Sequence, residues 1–506
     1  MTHLAGILLA LALLAVYAYA LLLIWRVPFR AIGVLVAGMA FHNIMLMFML
    51  GLNTPTLLVR VVQAWKEGIL VLLLVMAVWR LVTAWREGKR PVLSPLDLVV
   101  AAFTALTLLY LVLPAHLLHS SANLHQRLLG ARLVLLLPAL YLLGRVFQPR
   151  QQSDIRWVVL TILGAGAVVG LFGLFELWFL PTRVWLDWGV NQLSAFLGFA
   201  YNGPRGLPAN FFQTTAEGFL LRRMVSTYVS PLGVAYAGIL IVPPAVALLL
   251  SPRERGDRRP LIWLAGVLLV LGIVFSLTRL ALVVLVLELL FLAVVTRRRW
   301  LLYAAPVVGV MVVFVLVQYV QIGPLMNQRL QPIAHRPSNL RITSRADPSL
   351  NEHSSLLAYD VQYVLHHPLG TGLGSSVHRF GISAGTGESA VFDMFGELGL
   401  LGGLLYLVMY AGMLLVAALA AWRRRTDPLL AALPLVALVG GLALAPITLT
   451  SDVYGDFATT FLLWWSAGSA ASLALSDAVG ASPGRPGQGL GIARLWPRSS
   501  DPRQTS

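Results

Sequence analysis

The chain contains no cysteine in 506 residues, which excludes disulfides, thiolate metal sites and a cysteine nucleophile. Charge is scarce as well: only 11% of residues are Asp, Glu, Lys or Arg, while 58% are hydrophobic and the mean hydropathy is +0.80. That balance excludes an ordinary soluble core and fits a chain whose main solvent is lipid. No tandem repeat of fixed short period is present, which sets aside a repeat architecture. The N-terminal apolar run lacks a basic n-region and a small-residue cleavage site, so it reads as a retained helix and not a signal peptide.

A bilayer core about 30 Å thick needs roughly 20 apolar residues per helix. Runs of that length recur over residues 4–25, 31–52, 68–85, 96–114, 129–147, 157–180, 224–250, 261–277, 280–296, 301–320, 397–420, 429–448 and 458–475. The fold class expected is an all-α polytopic membrane protein of about 13 transmembrane helices (12 to 14), with a large, partly helical extracytoplasmic loop. Four regions follow: transmembrane helices 1–10 over 1–320, the loop over 321–396, helices 11–13 over 397–475, and a disordered cytoplasmic tail over 476–506 that is rich in Gly, Pro, Ser and Arg.

Basic clusters set the orientation, because short loops rich in Lys and Arg stay cytoplasmic. Arg26 and Arg30, Arg86-Lys89-Arg90, Arg145-Arg150-Arg156, Arg253-Arg255-Arg258-Arg259, Arg297-Arg298-Arg299 and Arg423-Arg424-Arg425 all fall on one side of the thirteen-span arrangement. That side is read as cytoplasmic, with the N-terminus and the 321–396 island outside. Every histidine except His42 then lies outside or at the outer edge. The net charge of +16 becomes a signal of topology and of attraction to anionic lipid, and it calls for no nucleic-acid partner.

Chemistry is therefore sought at the outer face. Arg222, Arg223 and Arg279 sit at the outer mouths of apolar helices, where the positive-inside tendency disfavours cations. A guanidinium presents a planar fork of donors matched to phosphate oxygens, so a group of them suits a lipid pyrophosphate; a lone arginine at a helix end can equally snorkel into headgroups. In the island, Glu388-Ser389 precedes an apolar run, followed by Asp393 and Glu397-Leu-Gly399-Leu-Leu-Gly402. A displacement that releases a lipid pyrophosphate needs a group that takes the nucleophile's proton and a counter-charge for the leaving group. Glu388 is the candidate base, with Asp393 or Glu397 next. The competing reading makes Glu388-Ser389 a helix start, where an acid complements the dipole and a serine caps free amides.

These segments carry a resemblance. Phe275-Ser276-Leu277-Thr278-Arg279-Leu280-Ala281, about 40 residues beyond Arg223-Met-Val-Ser226-Thr-Tyr-Val-Ser-Pro231, then the outer loop with His367-Pro368-Leu369-Gly370-Thr-Gly372-Leu-Gly374, then Glu397-Leu-Gly399-Leu-Leu-Gly402 before three final helices, resemble the bacterial O-antigen ligase and polymerase superfamily over about residues 220–475. The resemblance implies a metal-independent, inverting glycosyltransferase using an undecaprenyl-pyrophosphate-linked glycan on the outer face of the inner membrane, without a cofactor. It maps pyrophosphate binding to Arg279 and to Arg223 or Arg222. The ligases place a His-Asn pair where this chain has Glu388-Ser389, so the pattern resembles the O-antigen and exopolysaccharide polymerase branches, whose companions include a flippase and a chain-length regulator. A ligase acting on lipid A core or a protein is the alternative.

Other constellations carry less. His353, His366, His367 and His378 share one loop, but their spacing follows no known zinc pattern, so no metal site is assigned. The Gly370–Gly374 stretch reads as a turn, and Gly399, Gly402 and Gly403 as close helix contacts. The run Leu356–Leu365 has helical spacing with an apolar face for the membrane surface, and Arg329, Arg336, Arg341, Arg345 and His353 would line a groove for an anionic or hydroxyl-rich glycan, or else form a solvated face. Glu176 and Glu288, within or near spans, are functional by default or paired in the bundle. A transporter or flippase would also need many helices, yet polarity here gathers at one face instead of mid-membrane in repeated broken helices.

Overall fold

A computed structural model describes residues 2–89, 92–149, 151–198, 206–214, 220–252, 258–319, 348–376 and 386–480. Lipid offers no partners for backbone amides, so each apolar segment must pair its own, and helices are the result. The chain is an all-α polytopic membrane protein. Among the described residues, nine helices are long and apolar enough to cross a membrane, and three shorter apolar helices accompany them.

In chain order these are α1 (Thr2–Arg26), α2 (Ala31–Gly51), the short α3 (Thr56–Gln63), α4 (Trp65–Arg86), α5 (Pro95–Val112), α6 (Leu124–Val146), α7 (Gln152–Phe179), the small α8 (Thr182–Asp187) and α9 (Val190–Leu197), then α10 (Pro231–Leu250), α11 (Arg259–Phe275), α12 (Arg279–Thr296) and α13 (Arg299–Phe314). After them come α14 (Pro348–His366), α15 (Ala390–Arg423), α16 (Ala432–Thr448, with a π turn at Val436–Gly440) and α17 (Phe457–Gly480). A helix lies over each apolar run of the sequence. Local chemistry sets their starts: Ser94 and Asp97 form a reciprocal capping box at α5, Asn123 and Gln126 another at α6, and Ser230 caps α10 ahead of Pro231 at the first helical position.

The outer wall is apolar where it meets lipid, as at Trp79, Val310 and Leu415. At the centre stands α10, buried along nearly its whole length. Two glycines bring α6 and α17 into backbone contact: a methyl on Gly144 would come within 2.1 Å of the Trp465 carbonyl oxygen, and one on Gly468 within 2.0 Å of that of Tyr141. The basic loops gather at one end of the bundle. There Arg30 pairs with Asp154 at 2.8 Å, Arg145 with Asp97 at 2.9 Å, Gln152 donates to Asp427 at 2.5 Å, and Arg423 donates to the Ala474 carbonyl at 2.6 Å.

Three local features depart from the sequence expectations. Residues 224–230 are not α-helical; with one 3-10 turn at Ser226–Tyr228, they continue from an antiparallel hairpin of β1 (Phe212–Thr214) and β2 (Leu220–Arg222), with Phe212 opposite Arg222. The helix expected from residue 397 begins at Ala390 and breaks at Gly399 (φ 71°, ψ −175°). Within the island, α14 covers Leu356–Leu365 and extends beyond it at both ends.

Candidate functional site

The non-helical stretch before α10 exists because a buried acid holds it. Glu176 on α7, 1% exposed, accepts from Arg222 Nη2 at 2.9 Å through Oε2, and from the amides of Val225 at 2.9 Å and Ser226 at 3.3 Å through Oε1. Arg222 also donates to the Arg223 carbonyl at 2.7 Å and stacks 4.6 Å from the Phe211 ring. Its guanidinium is thus committed to the loop's own architecture. A paired, hydrogen-bonded ion pair is how charge survives burial. Glu288 on α12 differs: it is 2% exposed and neither carboxylate oxygen has a hydrogen-bond partner, so the pairing expected inside the bundle is not made.

Arg223 reaches from this loop to the turn between α11 and α12. Its Nε donates to the Ser276 carbonyl at 2.9 Å and its Nη2 to Thr278 Oγ1 at 2.9 Å. The turn is tight, with Leu277 at φ 52° and Ser276 Oγ accepting from the Thr278 amide at 3.3 Å. Arg279 follows as the first residue of α12, half-buried. Burial, and then the neighbouring Arg279, push the Arg223 guanidinium down to about 10, against the opposing influence of Tyr236. Two like charges held this close, beside the amide-rich start of a helix, form an electropositive corner suited to a phosphate group.

Tyr236 links that corner to the acids. It lies on α10, donates to Ser451 Oγ at 3.0 Å, and is within Coulombic reach of Arg223, Glu388 and Asp456. The Glu388 backbone is pinned on both sides: the Gly387 amide donates to Asp360 Oδ1 at 2.6 Å, and Ser389 Oγ donates to the Thr448 carbonyl at 3.2 Å. The cap of α15 is supplied by Ser389, whose Oγ accepts from the Phe392 amide at 3.2 Å, so the capping bond does not use Glu388. Glu388 is half-buried at the rim.

The other two acids face elsewhere. Asp393, 2% exposed, accepts from Thr386 Oγ1 at 2.8 Å. Glu397, 1% exposed, accepts from Ser376 Oγ and, at 3.4 Å, from the Ser376 amide. The glycine loop after His367 docks on the break in α15: the Thr371 amide donates to the Gly396 carbonyl at 2.8 Å and the Gly372 amide to that of Glu397 at 3.0 Å. A methyl on Gly370 (φ 71°) would sit 2.4 Å from the Gly399 nitrogen, so both glycines are demanded by the approach of two backbones.

Asp456, not singled out from sequence, belongs to the same neighbourhood. It precedes α17, accepts from Thr459 Oγ1 at 2.8 Å and the Ala458 amide at 3.2 Å, and burial pushes its carboxyl up to about 6 in spite of those bonds. Asp456-Phe-Ala-Thr459 reads as an ordinary helix start, and only the fold brings it near Tyr236.

Among the histidines, His366 and His367 each place Nδ1 against the carbonyl four residues back in α14, at 2.7 and 2.9 Å. His378 lies outside the described residues, as do Arg329, Arg336, Arg341 and Arg345. His353 falls within α14.

Residues 264–407 match the family model Wzy_C, described as O-antigen ligase. That segment is similar to the O-antigen ligase family. It contains the Ser276–Arg279 turn and Glu388, Asp393 and Glu397, while Arg222, Arg223 and Asp456 lie outside it. No curated protein matches the chain. Such a similarity in a polytopic membrane protein supports glycan transfer of the ligase or polymerase type.

Proposed function

We propose that the protein polymerises lipid-linked oligosaccharide repeat units at the outer face of the bacterial inner membrane, for O-antigen or exopolysaccharide. The donor is an undecaprenyl-pyrophosphate-linked glycan. The observation that carries this reading is the pair of hydrogen bonds from Arg223 to Ser276 and Thr278, which ties it to the turn just before Arg279, with Tyr236 linking Arg223 electrostatically to Glu388. The end opposite the basic loops holds this group, which under the positive-inside tendency is the exterior.

In the reaction, an acceptor hydroxyl attacks the anomeric carbon of the donor from the face opposite the diphosphate. The new C–O bond forms as the bond from that carbon to the diphosphate oxygen breaks, so configuration inverts. Glu388 takes the hydroxyl proton. Undecaprenyl diphosphate leaves with the bonding electrons, and Arg223, Arg279 and the start of α12 stabilise its added charge. Guanidinium groups at this position supply the counter-charge for which other transferases recruit a metal ion, hence a metal-independent reaction. Asp393 and Glu397, bound to Thr386 and Ser376, position the loops around the site. A flippase that delivers the donor and a chain-length regulator are the expected companions.

The ligase description of the matched domain favours a second reading, transfer of the glycan to lipid A core or to a protein. Reconstitution with a lipid-linked repeat unit separates the two. Products lengthened in steps of one repeat, formed without any other acceptor, support polymerisation; transfer only after lipid A core or protein is supplied supports ligation.

A further inference from the structure

A second cationic group meets Phe457, the residue after Asp456. Lys66, at the start of α4, is 3% exposed; its Nζ donates to the Gln63 carbonyl at 3.2 Å and lies 3.3 Å from Glu67 Oε1. Arg132 of α6 places Nη1 3.5 Å from that same oxygen, and Glu67 Oε2 is buried without a hydrogen-bond partner. Lys66 Nζ and the Arg132 guanidinium stand 5.1 and 5.5 Å from the centre of the Phe457 ring. His42 accepts from Trp65 Nε1 at 3.1 Å through Nδ1, so its ring is neutral. Two cations thus share one oxygen of one carboxylate, and a positive charge is left over. It resides on Arg132, whose side chain is 49% exposed against 4% for Lys66.

The group lies at the ends of two helices, with Lys66 in the first turn of α4 and Phe457 at the first position of α17, and the Arg132 side chain reaches that end, 5.5 Å from the Phe457 ring. Arg132 is eight residues into α6, roughly 12 Å from the helix start. The connection into Lys66 is α3, which carries exposed Leu57 (77%) and Val61 (50%) beside exposed Arg60, the pattern of a helix lying in the interface. A guanidinium with donors to spare at this level, its acid already held by a buried lysine, matches a lipid phosphate.

We propose that Arg132, with its charge released by the Lys66–Glu67 pair, is a second phosphate-binding site for a phosphate-bearing lipid, separate from Arg223 and Arg279. Two sources share that chemistry: a lipid-linked diphosphate serving as acceptor, which rests on the polymerase reading, and a bulk glycerophospholipid, which does not.

Native mass spectrometry of the full chain in phosphatidylcholine nanodiscs, titrated separately with farnesyl diphosphate and with phosphatidylglycerol, tests the site. If the occupant is a lipid diphosphate, the unmodified chain binds two farnesyl diphosphates and Arg132→Gln and Arg279→Ala bind one each. If it is a bulk phospholipid, Arg132→Gln loses bound phosphatidylglycerol by about tenfold while diphosphate binding is unchanged. Glu67→Gln, which leaves two uncompensated cations, tightens the same occupant several-fold, a gain that structural damage does not produce. Arg132→Gln binding both lipids as the unmodified chain does overturns the proposal. Arg279→Ala retaining full diphosphate binding overturns the donor site and leaves the Arg132 result to stand by itself.

Discussion

Arg223 and Thr278, 55 positions apart, meet through an Nη2 to Oγ1 hydrogen bond of 2.9 Å that ties one cation to the turn immediately before the next, Arg279. The bond matters because a buried guanidinium needs fixed acceptors, and Ser276 and Thr278 supply them to Arg223. Thr278→Val keeps the shape of the turn and removes the acceptor. Donor KM in a reconstituted assay is expected to rise by about tenfold, with the folded yield little changed.

Glu388 and Ser389 divide two tasks between neighbours, and substitution separates them. Glu388→Gln should lower turnover by about 100-fold or more while donor binding and thermal stability hold, since the group lost is the proton acceptor. Ser389→Ala should cost about 1 kcal/mol of stability, read by thermal unfolding in detergent, and spare most turnover. The reverse pattern assigns Glu388 to helix stability instead.

Asp456 gives the site a pH signature. Its carboxyl is held up to about 6 against an ordinary 3.8, so the folded protein binds this proton more tightly than the unfolded chain does. The stabilising contribution is therefore complete below about 4 and is lost as pH rises through about 6. A transfer-rate profile should show an inflection near pH 6 that disappears in Asp456→Asn. An unchanged profile would remove Asp456 from the site's electrostatics.

Gly399 is the point at which α15 turns aside for the loop after His367. At φ 71°, with a methyl 2.6 Å from the Leu369 carbonyl carbon, Gly399→Ala has no unstrained conformation. A loss of about 1–3 kcal/mol or more is expected, with proteolysis of the loop at a lower protease concentration.

The helices were legible because lipid removes most options: an apolar run near 20 residues can do little except form a helix, and the basic clusters mark its ends. Where the pattern was blind, pairing across long separations decided. Glu176 appears in sequence as one acid in an apolar run, and only the fold sets it against Arg222 and the amides of Val225 and Ser226. That clamp shapes residues 224–230, while the Ser230 cap and Pro231 start α10, a boundary that hydrophobic periodicity alone does not show. Arg279 was legible as a cation at an unfavoured place, whereas the different partners of Arg222 and Arg223, Glu176 for one and the Ser276–Thr278 turn for the other, were not. Tyr236 and Asp456 carried no signal, since a tyrosine in an apolar helix and an acid at a helix start are both common.

Donor affinity and single-turnover transfer by Arg279→Ala, reconstituted with an undecaprenyl-diphosphate-linked glycan, bear most directly on the whole account. The expected result is a folded membrane protein whose donor binding falls by at least about tenfold and whose transfer is lost. Full transfer at unaltered donor affinity would contradict it.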